Sequence, residues 1–389
     1  MIDTVVLSIP RSKYTILDHN RFEPSTKGLF YPPYYSLGSR SNFSCKQNPT
    51  KKDYLSGIYK PRLTITKRIR KGGYVYPLRI EFSIPKLIFS NNFDEIQESD
   101  FNLVIDTLKE RLKEMAILIK KDDLVNTKVS AIHYSKNIAL VNYTSCSMIL
   151  GELAKINLTK RLDLDKTSFR NGGQAIHCHA NSFDIAIYDK IKDLEQAKVS
   201  EKRSTEKNNQ IQLNLFDKNP TVKPFEVIRI EIRLNNRTKI KSLLKSLKMT
   251  TEPTFINLYS DMLSKNIILY FWKEIEESSQ ILSIDTDKPS ELFRTIIKNN
   301  TGIRNTKTLK ILATIFLVQE IGFRNTRNLF DTNYKSNKFW YNLIKELKET
   351  RLPMNGKYNP IEEVSRSIKE FKPLKLKYYQ IKNKINEYV

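Results

Sequence analysis

Cysteine is scarce in this sequence. Cys45, Cys146 and Cys178 are the only three in 389 residues, and no two stand in a Cys-x-x-Cys pair. So few thiols form no disulfide framework, which fits a reducing compartment. Long apolar runs are missing too. The best, Leu309 to Val318, is far shorter than a bilayer-spanning stretch. The opening MIDTVVLSIP carries an acid and a short alternating run, where a secretory signal needs a basic start and a long apolar core. No segment recurs at a fixed period. These absences argue against secreted disulfide scaffolds, membrane spans and repeat arrays, and they predict a soluble cytoplasmic protein with no membrane partner.

Acidic residues are the remaining shortage: 42 Asp and Glu face 66 Lys and Arg, a formal net charge of +24. At 40% hydrophobic and 28% charged, the chain is globular rather than disordered. Its length allows two or three domains with real cores. An excess of positive charge this large on a folded chain points to a polyanionic partner, and nucleic acid is the commonest. Abundant Lys, Asn and Ile also reflect what an AT-rich genome encodes, so part of the lysine excess is compositional.

Periodicity divides the chain. Thr4–Ile9 and Arg62–Ile69 read as strands in an aromatic- and proline-rich opening. Leu78–Ile84 alternates as a strand, and Asp100–Lys120 has helical spacing at Leu103, Leu108, Leu112, Met115 and Leu118. Val129–Ser135 reads as a strand and Ser145–Ile156 as a helix. Ala175–His179 and Phe183–Tyr188 form a hairpin turned at Ala180-Asn181-Ser182. A charged stretch, 189–209, is expected to run from helix into an exposed loop. Phe225–Leu234 is the clearest strand, with helix Lys239–Leu247 behind it. The expectation is an α+β fold, an antiparallel sheet backed by helices, over residues 1–250. A connecting helix at Phe255–Ile275 and a polar linker at Ser278–Pro289 occupy 251–289. Residues 290–389 then read as all-α, with Thr308–Glu320 closed at Gly322, a short segment at Asn325–Phe330, and Ser336 capping Asn337–Glu349. Three helices so separated resemble a helix-turn-helix, although an ordinary helical bundle has the same pattern.

Strand phase sorts the candidate chemical groups. Arg79, Glu81 and Ser83 share a face opposite Ile80 and Phe82. Arg229, Glu231 and Arg233 share a face opposite Ile228, Ile230 and Ile232. Two strands that each aim a carboxylate flanked by arginine away from an aliphatic face suggest a polar working surface able to meet phosphate. His177 and His179 are two of only four histidines and lie on one strand face, a spacing that can converge on a divalent ion and also suits two surface histidines near a turn. His133 is in phase with Ala131 and Ser135, as a ligand or as a partly buried histidine. Across the turn, Tyr188 shares a face with Asp184 and Ala186. A tyrosine in a strand is ordinarily structural. A phenol has an ordinary pKa near 10, so nucleophilic use needs a metal or a nearby cation such as Lys190.

Seven stretches, in order and spanning nearly the whole chain, resemble the gene-two replication initiators of filamentous phages and their phage and plasmid relatives: MIDTVVLSIP, YPLRIEFSIPKLIF, VNTKVSAIHYS, FDIAIYDKIKDLE, VIRIEIRL, LATIFLVQEIGFRNTRNLF and NKFWYNLIKELKETRLP. The resemblance implies a site-specific single-strand endonuclease and strand-transfer enzyme that frees a 3′-OH primer. It implies Tyr188 as the nucleophile of a 5′-phosphotyrosyl link, and Glu81 and Glu231 as residues serving a divalent metal, Mg²⁺ or Mn²⁺. Glu81, His133, His177, His179 and Glu231 form the pool from which the metal ligands would come, and not all five are expected to bind. His133 stands where the family more often has an acid, which shifts the expectation towards manganese. Lys190, Arg229 and Arg233 are candidates for phosphate, and Lys335, Lys338 and Lys345 for the DNA backbone. The expected partners are single-stranded or supercoiled origin DNA, with a host helicase and polymerase. A relaxase or transposase using the same chemistry, and a non-enzymatic origin-binding or repressor protein, are the alternatives.

Overall fold

Alternating aliphatic residues build the centre of the molecule. The computed structural model describes residues 1–30, 43–70, 73–140, 144–156, 167–170, 173–196, 226–249, 251–331, 338–353 and 358–376. Nine strands form one sheet: β1 Ile2–Ile9, β2 Ser44–Gln47, β3 Arg62–Thr66, β4 Leu78–Ser83, β5 Val129–Leu140, β6 Thr167–Arg170, β7 Ala175–His179, β8 Phe183–Asp189 and β9 Glu226–Leu234. Their order is β6-β7-β8-β9-β5-β1-β4-β3-β2, and every neighbouring pair is antiparallel. One face is aliphatic. Ile176, Ile185, Ile187, Ile228, Ile230 and Ile232 lie in the main core with Ile267, Phe271 and Trp272 of a long helix laid across them.

The helices that matter for the site are α1 Ile84–Phe89, α2 Phe101–Glu114, α3 Cys146–Lys155, α4 Lys190–Gln196, α5 Arg237–Ser246 and α6 Asp261–Leu282. Side-chain caps start α3, α5 and α6, with Ser145, Asn236 and Ser260 accepting from the third amide beyond each. Several expected boundaries move. β4 stops at Ser83 because Pro85 fits the first turn of α1. α2 ends at Glu114, since Ala116 takes a positive φ of 61° and Ile117–Leu118 then pairs with Thr15–Ile16. β5 runs on to Leu140. Beyond Tyr134 it outlasts β1, and Glu95 covers the free edge by accepting from the Asn137 amide at 2.6 Å.

Phe255–Ile275 is not a connector. A short turn, Phe255–Leu258, precedes α6, whose buried side extends from Leu263 to Ile281 across the sheet. The expected linker is partly helix as well: Ser278 and Ser279 are buried and bond back to Glu274 O and Glu276 O. Three helices follow, α7 Pro289–Asn299, α8 Asn305–Asp331 and α9 Lys338–Glu349, around a second core of Ile296, Ile311, Ile315, Val318, Trp340 and Leu343. The helix expected to close at Gly322 continues through it with a kink at φ 81°. A Cβ there would sit 2.9 Å from Lys155 Cα, so the kink and the close approach to α3 both require glycine. Ser336 and Asn337 lie outside the described residues.

The unit expected over 290–389 is not one core. α10, Pro360–Glu370, returns to the sheet, where Ile361, Val364 and Ile368 join the main core. Trp272 Nε1 donates to Ser365 Oγ at 2.8 Å. Beyond it, Leu374 N donates to Glu95 and Leu376 N to Asp94, each at 2.8 Å, and the buried Lys136–Glu95 pair lies beneath them at 2.5 Å. Among the described residues, no helix is long and apolar enough to cross a membrane.

Candidate active site

The second face of the sheet is polar, and register rather than sequence distance assembles it. One row runs His179, Asp184, Arg233, His133 across β7, β8, β9 and β5. The next runs His177, Ala186, Glu231, Ser135, and a third Ala175, Tyr188, Arg229, Asn137. A bulge in β1 between Ile2 and Thr4 brings Asp3 onto this face, where it meets Ser83 Oγ at 3.3 Å and Arg229 at 3.0 Å.

A cavity of about 200 Å³ opens on this surface, its lining including Asp3, Asn92, His177, Tyr188, Lys190 and Glu231 together with Arg233, Lys86 and Asp193. Five residues singled out from sequence, on three strands and the start of α4, therefore share one wall. Asp3, Lys86, Asn92 and Asp193 were not foreseen. Asp3 could not be, because alternation puts it in phase with Val5 and Leu7 of the buried face, and only the bulge turns it over.

The charges here are tightly paired. Glu231 is 3% exposed and accepts from Arg229 at 3.3 Å and from both Arg233 Nε, at 2.9 Å, and Arg233 Nη2. Burial alone would raise its pKa, but Arg233 and Arg229 outweigh that and hold the carboxyl well below its ordinary range. Arg229 is 1% exposed, and Asp3, Ser135 and Asn92 O share its guanidinium with Glu231. It is therefore a buried organiser of the site, not the expected phosphate contact. Arg233 keeps a partly exposed side chain on the cavity.

Tyr188 is 8% exposed against Ala175 and Ala186. Burial, and then the Glu231 carboxylate, raise its pKa well above the usual 10, so its hydroxyl is neutral at physiological pH. Lys190 is 2% exposed, its Nζ 5.8 Å from the Tyr188 ring centroid. Burial, then Arg229, lower its pKa to about 7. The sequence suggested Lys190 as a cation favouring phenolate. The structure makes it an amine near its titration point, able to accept a proton.

The five candidate metal ligands do not all meet at one point, so at most a subset of the pool could share an ion. Three inter-strand steps separate His179 from His133, and three separate Glu231 from Glu81, about 14 Å in each case at ordinary strand spacing. Metal–nitrogen bonds of about 2.1 Å cannot bridge that with one ion. Glu81, three strands from Glu231, pairs with Arg79 at 3.0 Å. His133 is held towards neutrality by burial, with Glu231 opposing.

The His177/His179 pair stays together on one face of β7. Their rings stack at 5.9 Å and 21°. His179 Nδ1 lies 3.1 Å from Asp184 Oδ1, and Asn235 Nδ2 donates to Asp184 Oδ2 at 2.8 Å. His179 Nε2 is buried with no hydrogen-bond partner among the described residues. A carboxylate on one ring nitrogen and an open second nitrogen is how metal-binding imidazoles are oriented.

Another group, Cys146, Asp189 and Glu226, has ligand atoms within 4.8 Å of one another, so it could in principle hold an ion. Sequence reading named none of these. Asp189 already caps the Ile191 and Lys192 amides, and Glu226 takes the Cys146 amide. Of the expected backbone contacts, Lys335 lies outside the described residues, Lys338 is exposed on α9, and Lys345 stands 3.7 Å from Glu349. No family model, no curated protein and no solved structure matches this chain.

Proposed function

We propose that this protein is a rolling-circle replication initiator that nicks one DNA strand and stays attached to it through Tyr188. The supporting observation is the shared cavity, where a tyrosine, a near-neutral lysine, an arginine and a histidine meet on the polar face of a +24 protein. The Tyr188 hydroxyl attacks the phosphorus of the scissile phosphodiester, forming the tyrosyl O–P bond and breaking P–O3′. Its proton passes to the neutral Lys190 amine, and the ammonium so formed returns it to the leaving 3′ oxygen, which becomes the 3′-OH. Arg233 offsets charge on the phosphate while Glu231 fixes its guanidinium. A divalent cation held by His177 and His179 would polarise the phosphate. The volume suits a phosphate group better than a whole nucleotide, so the strand lies across the mouth. Helices α7 to α9 serve origin recognition as a helix-turn-helix-like unit.

Incubating supercoiled origin plasmid with Mg²⁺ or Mn²⁺ tests this reading. Wild type yields open circles carrying covalently bound protein, and Tyr188→Phe binds the plasmid but leaves it supercoiled. Nicking by Tyr188→Phe near the wild-type rate removes Tyr188 from the mechanism. The buried, neutral phenol favours one second reading, a non-enzymatic origin binder, in which wild type binds without nicking under either metal.

A further inference from the structure

A second concavity lies away from the sheet, in the helical unit. It is an open groove of about 910 Å³ formed by the 299–304 turn, the first turns of α8, and the end of α9. Its cationic lining is Arg304, Lys307, Lys310 and Arg351, against Glu346 and Glu349. Lys310 is neutralised by Glu346 at 2.9 Å, and Glu349 stands 3.7 Å from Lys345. Among the described residues no carboxylate pairs with Arg304, Lys307 or Arg351, so three positive charges face one groove without an ionic partner.

The walls are held by bonds that leave those charges out. Asn300 Nδ2 donates to Arg351 O at 3.1 Å, and the Arg351 amide returns a bond to Asn300 Oδ1 at 2.9 Å. This reciprocal pair ties the end of α9 to the turn before α8. Gly302 makes that turn at φ 80°. Thr350 Oγ1 donates to Glu346 O at 2.7 Å, and the Lys310–Glu346 pair joins the helices across the floor. A fixed frame with projecting, uncommitted guanidinium and ammonium groups is pre-organised for an anion.

We propose that this groove binds the sugar–phosphate backbone of duplex DNA. It rests on the nucleic-acid reading above and relocates the backbone contact from Lys338 and Lys345 to Arg304, Lys307 and Arg351. Three features select this occupant. The groove is too large and open for one inorganic ion. Among the described residues Ile303 is its only apolar side chain and no aromatic ring lines it, so they offer no platform for an unstacked base. The remaining lining, Asn299, Thr301 and Thr306, carries the amides and hydroxyls that hydrogen-bond phosphate oxygens.

The test compares full-length wild type, Arg304→Ala/Lys307→Ala/Arg351→Ala, and Lys338→Ala/Lys345→Ala for duplex binding over a salt series. A single-stranded oligonucleotide nicking assay runs in parallel. Each lost phosphate contact flattens the slope of log affinity against log salt by about 0.9. The groove variant is expected to lose two to three units of slope and at least tenfold affinity, with single-strand nicking and melting temperature unchanged. The α9 variant is expected to change the slope by less than one unit. Overturning results are a groove variant with the wild-type slope, or equal losses in both variants. If the groove variant loses duplex affinity while wild type never nicks, the groove stands and the nickase reading falls. Inorganic phosphate displacing duplex at millimolar concentration with no slope difference would show a small-anion site and overturn the backbone assignment.

Discussion

The sheet cavity and the helical groove use the same residue types in opposite ways. At the cavity, Glu231 is 3% exposed and bound by Arg229 and Arg233 of its own strand, and behind it Arg229 is 1% exposed and bound to Asp3, Ser135 and Asn92 O. In the groove, Arg304 and Arg351 are exposed and carry no ion pair among the described residues. Buried charges define a geometry, and removing one strands its partner in a poor solvent for ions. Exposed charges contribute little to stability and are free to meet a ligand.

The largest expected effect tests whether the helical unit stands alone. A chain ending at Pro353 loses Ile361, Val364 and Ile368, each worth about 1.5–3 kcal/mol when buried, together with the bonds from Leu374 and Leu376. Its chemical denaturation should show several kcal/mol of lost stability, or insoluble protein. A fragment as stable as the full chain would make the 360–376 return incidental. Next comes Arg229→Leu, which leaves Asp3 and Glu231 short of a shared cation. A loss of about 3–5 kcal/mol is expected by denaturant melts, against less than about 1 kcal/mol for Arg304→Ala. Similar losses at the two positions would dissolve the contrast between the regions.

The smallest effect sharpens it through pH. Lys190 has a folded pKa of about 7 against an ordinary 10.5. Below pH 7 both folded and unfolded states are protonated, and the cost of burying the charge is fully present. Between 7 and 10.5 the unfolded chain binds more proton, so stability rises with pH, and above 10.5 the contribution vanishes. Lys190→Met should therefore be more stable than wild type at pH 6, with the gain fading towards pH 10. Wild-type nicking should rise about tenfold per unit up to pH 7 and level off. A flat profile over pH 5–8 would remove Lys190 as proton acceptor.

Much of the sheet was legible because period two is local. The phases of Leu78–Ser83, Ala175–His179, Phe183–Tyr188 and Glu226–Leu234 follow from the order of their side chains, and so does the face shared by Tyr188 and Glu231. Asp184 was legible in phase with Tyr188, but its bond to His179 was not. Length and ends were less readable. Ala116 terminates α2 by its backbone conformation, and Gly322 reads as a helix stop although α3 beside it makes the position a kink. Which members of the metal pool could share an ion was not legible for a different reason. Phase says which way a side chain points and nothing about how many strands separate two that point alike.

Composition and alternation alone determined that the chain is basic, that it folds as an antiparallel sheet with helices, and which side chains leave the aliphatic face. Those properties depend on neighbours two to four residues apart. Strand order, the Asp3 bulge, the return of α10 and the burial of Lys190 were decided by tertiary structure. Each depends on which distant segment fills the space alongside. Lys190 reads as a cation in sequence, and only its burial beside Phe93 and Tyr188, together with the positive charge of Arg229, makes it an amine that titrates near neutrality.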